Sequence, residues 1–67
     1  MAGHPPVVVH PPGPGGRPVT VRGERLGLAR GPEDLLEFLR RAGLDPDDVA
    51  LDDAELIEWR GGGPQEW

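Results

Sequence analysis

Prolines crowd the start of the chain. Six of the nine lie in "MAGHPPVVVHPPGPGGRP", residues 1–18, beside four of the eleven glycines. A proline fixes its own φ and has no N–H to give to a strand ladder. The Val7–Val9 run sits between Pro-Pro pairs, which limits it to a short edge strand, and the "PPGPGG" behind it reads as a loop. Residues 1–18 are therefore expected to form an N-terminal arm, either with that edge strand or disordered.

The rest of the chain can make one small domain. A protein of 67 residues buries only about 60% of its unfolded surface, so its core is marginal without a staple or a partner. There is no cysteine, which removes disulfides and thiolate zinc sites. No apolar run approaches the roughly 20 residues that span a bilayer, and "VVV" is too short for a signal-peptide core. The expectation is a cytoplasmic protein that does not engage membranes.

"RPVTVRGERLGLAR" carries the strand signal. Val19 and Val21 alternate with Thr20 and Arg22, and Leu26 and Leu28 alternate with Arg25 and Gly27. The intervening "RGE" is a Gly-containing tight turn. The pattern predicts a hairpin of residues 18–22 with 25–29, with Val19, Val21, Leu26 and Leu28 on one face. Arg22 and Arg25 fall near the turn on the other.

"GPEDLLEFLRRAGL" carries the helix signal. Pro32 suits the first helical position. Glu33 and Asp34 lie at the positive end of the helix dipole, and Arg40 and Arg41 at the negative end. Leu35, Leu36, Phe38, Leu39 and Ala42 form one apolar stripe, and Gly43 is placed for a left-handed cap followed by Leu44. "DPDDVALDD" then reads as a turn, with Asp45 capping, Pro46 opening a helical turn, and Val49 and Leu51 pointing inward. Glu55–Arg60 reads as a last strand with Ile57 and Trp59 on one face.

The fold class is thus α+β: a small two-layer domain over residues 19–60, in the order (β)ββαβ. Its predicted core is Val19, Val21, Leu26, Leu28, Leu35, Phe38, Leu39, Ile57 and Trp59. Residues 61–67 form a Gly-rich tail ending in Trp67. That residue is expected to act as a clasp folding back beside Trp59 or as a hook for a partner.

Charge divides along the chain. Four arginines face one glutamate in residues 1–30, whereas eleven acids face three arginines in residues 31–67, for a net charge of −5. An acidic total disfavours nucleic acid, whose affinity comes largely from phosphate neutralisation, and the hairpin offers no aromatic for base stacking. All seven basic residues are arginine, which with the abundant Gly and Pro reads as the codon bias of a GC-rich genome.

Chemistry is sparsely supplied. An EF-hand loop beginning at Asp45 would need an oxygen ligand at 49, Gly at 50 and Glu at 56, where the chain has Val49, Ala50 and Leu56. His4 and His10 lack a third metal ligand of defined position. The chain has no Cys, Ser, Lys or Tyr, and its one hydroxyl, Thr20, has no base beside it in sequence. No catalytic residue, metal or cofactor is therefore expected, and the chain is not expected to be an enzyme.

The stretch "VTVRGERLGLARGPEDLLEFLRRAGLDPDDVAL" resembles the N-terminal half of the small sulfur-carrier proteins of thiamin and molybdopterin synthesis. The resemblance covers about residues 19–51 and implies a shortened β-grasp fold. It also implies a diglycine, here Gly62 and Gly63, whose carboxylate would be adenylated and converted to a thiocarboxylate once Pro64–Trp67 had been removed. "DLLEFLRRAGL" followed by "LIEWRGGGP" is, in addition, similar to small actinobacterial proteins, which implies a source and no function.

Two functions are expected from this. The first is non-enzymatic binding of a protein partner, with Trp67, Arg22, Arg25 and Arg60 as its contact residues. The alternative is the diglycine carrier or modifier. An open sheet edge also makes a homodimer an expectation.

Overall fold

A computed structural model describes residues 5–67. Strands β1 (Val7–Val9), β2 (Arg17–Val21) and β3 (Glu24–Ala29) are followed by helix α1 (Pro32–Arg41), a 3₁₀ turn over Pro46–Asp48 and strand β4 (Ile57–Trp59). The four strands form one sheet in the order β3-β2-β1-β4, with the two left-hand pairs antiparallel and β1 parallel to β4. Helix α1 packs on β3 and β2. This is the expected α+β class.

Strand β1 is interior, which corrects the expectation of an edge strand. The prolines do not prevent this, because Pro6 before β1 and Pro18 opposite its far end meet the ladder through their carbonyls. At one end Arg22 N–H donates to the Pro6 carbonyl (2.7 Å), and at the other His10 N–H donates to the Pro18 carbonyl (2.9 Å). The three valines between them keep every N–H free for a ladder, and Val7 and Val9 are fully buried. Residues 7–9 and 17–18, expected in an arm, therefore belong to the sheet, whereas the His4 reading lies outside the described residues.

The hairpin turns on Arg22 and Gly23, whose φ angles of 53° and 83° are the two left-handed residues of a type I′ turn. Pairing then runs Val21 with Glu24 and Thr20 with Arg25, but Val19 with Gly27. Leu26 is the extra residue of a β-bulge. The bulge points Leu26 and Gly27 to the helix side together and reverses the phase that follows. Leu28, expected in the core, is thus 39% exposed, and Ala29 is fully buried instead. Glycine is required at 27, because a Cβ there would stand 2.9 Å from the Phe38 ring.

Helix α1 begins and ends as its sequence directs. Asp34 Oδ2 reaches back to the Arg30 N–H at 3.0 Å, satisfying a donor at the open N-terminus. At the far end Gly43 N–H donates to the Arg40 carbonyl and Leu44 N–H to the Leu39 carbonyl, the Schellman pair that a glycine with φ 94° permits. Asp45 Oδ1 accepts from Asp47 N–H and caps the 3₁₀ turn as expected.

The buried core consists of Val7, Val9, Val19, Val21, Ala29, Leu35, Leu39 and Ile57. Leu26, Phe38, Val49, Leu51, Trp59 and Trp67 are partly buried against it. One further residue is fully buried, and it is charged: Arg17.

Candidate functional site

Arg17 opens β2. Strand alternation puts it on the same face as Val19 and Val21, looking into the core beyond the reach of α1. Its guanidinium has five N–H donors, and five main-chain carbonyls take them. Nε donates to His10 (2.8 Å), Nη1 to Gly63 (3.1 Å) and Glu66 (2.6 Å), and Nη2 to Arg60 (2.7 Å) and Gly62 (3.1 Å). The first bond fills a gap in the sheet, since His10 stands opposite Pro18, which has no N–H to offer it. The other four hold the C-terminal tail.

The tail can wrap a point charge because it is built of glycine. Gly61 and Gly62 take φ angles of 75° and 143°, and the carbonyls of Arg60, Gly62 and Gly63 around them meet the guanidinium. A side chain at Gly61 would strike Pro11, 2.7 Å away, and one at Gly62 would strike Glu66. Two indoles close the cage. The guanidinium carbon lies 5.2 Å from the Trp59 ring centroid and 5.7 Å from that of Trp67, within cation–π range. The two rings meet edge to face, with centroids 5.7 Å apart. Each indole N–H is bonded as well, Trp59 Nε1 to the Leu51 carbonyl (2.8 Å) and Trp67 Nε1 to the Pro64 carbonyl (2.7 Å).

Among the described residues no carboxylate forms an ion pair with Arg17. Burial pulls its pKa below the ordinary arginine value and the nearby charge of Glu66 partly offsets this, but the group stays protonated. The cage is therefore a buried cation neutralised by carbonyl dipoles and ring faces.

Of the expected contact residues, Trp67 is the clasp of this cage. Gly62 and Gly63, matched to the carrier diglycine, lend it their carbonyls. Arg60 contributes its carbonyl, while its side chain pairs with Glu58 on the surface.

The other face of the sheet carries no helix. Val8, Thr20 and Arg25 follow one another across β1, β2 and β3 and so share this face. A shallow groove of about 610 Å³ runs over it, lined among others by Val8, His10, Thr20, Arg22, Glu58 and Arg60. Arg22 and Arg25 are exposed and make no ion pair among the described residues. The sheet thus brings together Arg22, Arg25 and Arg60 and leaves Trp67 on the opposite side.

One expectation about chemistry needs correction. Thr20 does have a base beside it, because His10 Nε2 lies 3.2 Å from its Oγ1. The contact joins residues ten apart in sequence across the β1–β2 pairing, so local spacing could not reveal it. Among the described residues nothing bonds the other ring nitrogen, so the third group that orients a catalytic base is not supplied.

Among the described residues no group of three or more His, Cys, Asp or Glu could hold a metal ion, and no helix is long and apolar enough to cross a membrane. Compared with known proteins, the chain matches no family model, no curated protein and no solved structure.

Proposed function

We propose that this chain is a non-enzymatic protein-binding module that receives an acidic partner on the uncovered face of its sheet. The observation that carries this reading is the distribution of charge over the two faces. Arg22 and Arg60 line the groove with one carboxylate, Glu58, between them, and Arg25 lies on the same face opposite Thr20. The acids Glu33, Asp34, Glu37, Asp45, Asp47 and Asp48 lie on α1 and the turn after it, away from that face. Arginines around half-buried Val8 and Thr20, two of them (Arg22 and Arg25) without an ion pair among the described residues, and exposed Leu28 nearby suit a surface that excludes water at its centre and reads opposite charge at its rim.

The test is site-specific photo-crosslinking in the cells that make the protein, with the probe at Thr20, at Leu28 or, as control, at Glu33 on the helix. Discrete protein adducts at the two sheet positions, lost when Arg22→Glu and Arg25→Glu are added, are the expected result. Adducts that form equally at Glu33, or that ignore the charge reversals, would overturn it.

For the diglycine alternative, the tail would first have to leave Arg17, which holds both glycine carbonyls. That weighs toward a retained tail. The intact mass of the protein from its own cells separates the two readings: a chain ending at Gly62 or Gly63 with sulfur in place of oxygen would favour the carrier.

A further inference from the structure

On the uncovered sheet face, a hydrogen bond joins the chain's one hydroxyl side chain to an imidazole. His10 Nε2 stands 3.2 Å from Thr20 Oγ1, and both residues line the groove with Arg22, Glu58 and Arg60. The two side chains meet diagonally across the β1–β2 pairing, since Thr20 is opposite Val8 and the His10 N–H bonds the Pro18 carbonyl.

The direction of that bond depends on the charge of the ring. A neutral imidazole has one N–H and one bare nitrogen, so Nε2 can accept the Thr20 hydroxyl proton. A charged imidazole has two N–H groups and no acceptor. Nε2 can then only donate to Oγ1, and the hydroxyl hydrogen must turn away from the ring. Protonation therefore changes the face twice: it adds a cation, and it frees Thr20 to donate elsewhere.

The groups around the ring decide what holds it charged. Arg22 reaches the groove from the turn after β2 and Arg60 from the end of β4, while Arg25 lies beside Thr20 on β3. On the core side, the Arg17 guanidinium bonds the His10 carbonyl. Glu58 is the one carboxylate lining the groove, and it pairs with Arg60. A proton added to His10 thus arrives among arginines, where an anion brought from outside offsets the repulsion. An acidic partner brings that anion.

We infer that His10 and Thr20 form a proton-dependent recognition pair, through which this face takes an acidic partner more tightly as His10 becomes charged. The inference rests on the reading of the face as the seat of an acidic partner and adds its regulation. Histidine is the side chain whose charge changes between about pH 5 and 8, and His10 is the only one among the described residues. By linkage, a partner that favours the charged ring is bound more tightly on acidification and released as pH rises.

The test is a titration of the full-length chain with acetyl-Asp-Asp-Leu-Asp-Asp-amide, at about pH 5.5 and about pH 8 and one ionic strength. The probe's carboxylates stay charged over that range. Wild type is expected to bind it roughly tenfold more tightly at the lower pH, the effect of about one hydrogen bond to a charged group. His10→Gln keeps a polar side chain without the titrating proton and should bind equally at both. Thr20→Val should keep only part of the gain, because the ring still charges but the hydroxyl is gone. His4 is present in every chain, so its contribution is common to all. In the wild type, the His10 ring resonances should hold their charged-form positions to higher pH when the probe is present.

Binding that ignores pH, yet is weakened by Arg22→Glu, would overturn this inference and leave the acidic-partner reading standing. A pH gain that persists in His10→Gln would also overturn it, by assigning the proton to another group. Absence of binding at both pH values would overturn both. Should His10→Gln fail to fold, the wild-type resonances decide: a His10 titration that the probe leaves unmoved overturns the inference.

Discussion

The two ends of the core are closed by different chemistry. Over β2 and β3, helix α1 brings Leu35 and Leu39 into one core with Val19, Val21 and Ala29, with the Phe38 ring over Gly27, and all of these groups are apolar. Beyond β1 and β4, a seven-residue tail is fastened to one cation and two indoles. Burial of aliphatic groups is shared among many atoms, so each residue contributes its own part. A fan of hydrogen bonds radiating from one guanidinium is not shared, and the tail end depends on a single side chain.

The sharpest way to break this comparison is Arg17→Met, which keeps much of the bulk and removes all five donors. It should cost about 3–5 kcal/mol, because five carbonyls lose their donor and a buried acceptor left unsatisfied costs roughly 1–3 kcal/mol, which is about the whole stability of a domain this size. Loss of the cooperative thermal transition in circular dichroism is the expected observation. Survival of a normal transition would mean that the tail is decoration.

Next in size is a matched pair of truncations. Leu39→Ala should cost about 2–5 kcal/mol through cavity formation. Trp67→Ala should cost about 2–3 kcal/mol, less than a fully buried tryptophan because the residue is only partly buried. Hydrogen exchange discriminates between them. Leu39→Ala should accelerate exchange across the sheet, whereas Trp67→Ala should accelerate it mainly in residues 60–67 and abolish the coupled circular-dichroism signal of the two indoles.

Smaller again is Gly62→Ala, which forces a Cβ toward Glu66 at a φ of 143°. About 1–2 kcal/mol is expected from the strained conformation, read as a lower melting temperature. Gly63→Ala, whose φ lies outside the left-handed region, serves as the control and should change it less.

The smallest effect belongs to the helix surface. Arg40 and Arg41 hydrogen-bond Glu37 and hold its carboxyl below the usual carboxylate range. A carboxyl with a lower pKa in the folded than in the unfolded state stabilises the fold above its unfolded pKa, and that support is lost as pH falls through its folded value. Glu37→Gln should therefore be slightly less stable than wild type at neutral pH. The gap should close on acidification and shrink in high salt, as melts in parallel buffers would record.

The helix end of the molecule was open to reading because its signals are local. Pro32, the acidic first turn, the apolar stripe and Gly43 all act within a few residues of one another, and the observed cap uses the residues expected of it. The hairpin turn was legible for the same reason. The bulge was not read, although a lone glycine inside a strand pattern is its usual mark, and Gly27 is that residue. Once it is recognised, the exchange of Leu28 for Ala29 in the core follows.

The tail end resisted because its contacts are distant in sequence. Arg17 meets carbonyls 43 to 49 residues away, and β1 pairs with a strand that begins fifty residues later. Neither fact is written in any short window. One clue was available: Arg17 is in phase with Val19 and Val21, so the expected strand extended by one residue would have pointed it inward. Pro18 concealed that phase, and its missing N–H is the gap that Arg17 fills.

The bracketing of β1 by prolines also bears on how the chain behaves when unfolded. Val7–Val9 is the most apolar β-branched run in the sequence, the kind of segment that seeds cross-β aggregation. Such seeds need about six or seven residues free of proline, and here only four, Val7–His10, lie between Pro6 and Pro11. In the folded sheet Pro6 is used through its carbonyl and Pro11 lies beyond the end of β1, so they do little to weaken it. In an unfolded population the same residues act as gatekeepers, interrupting any stack of like strands after one short rung.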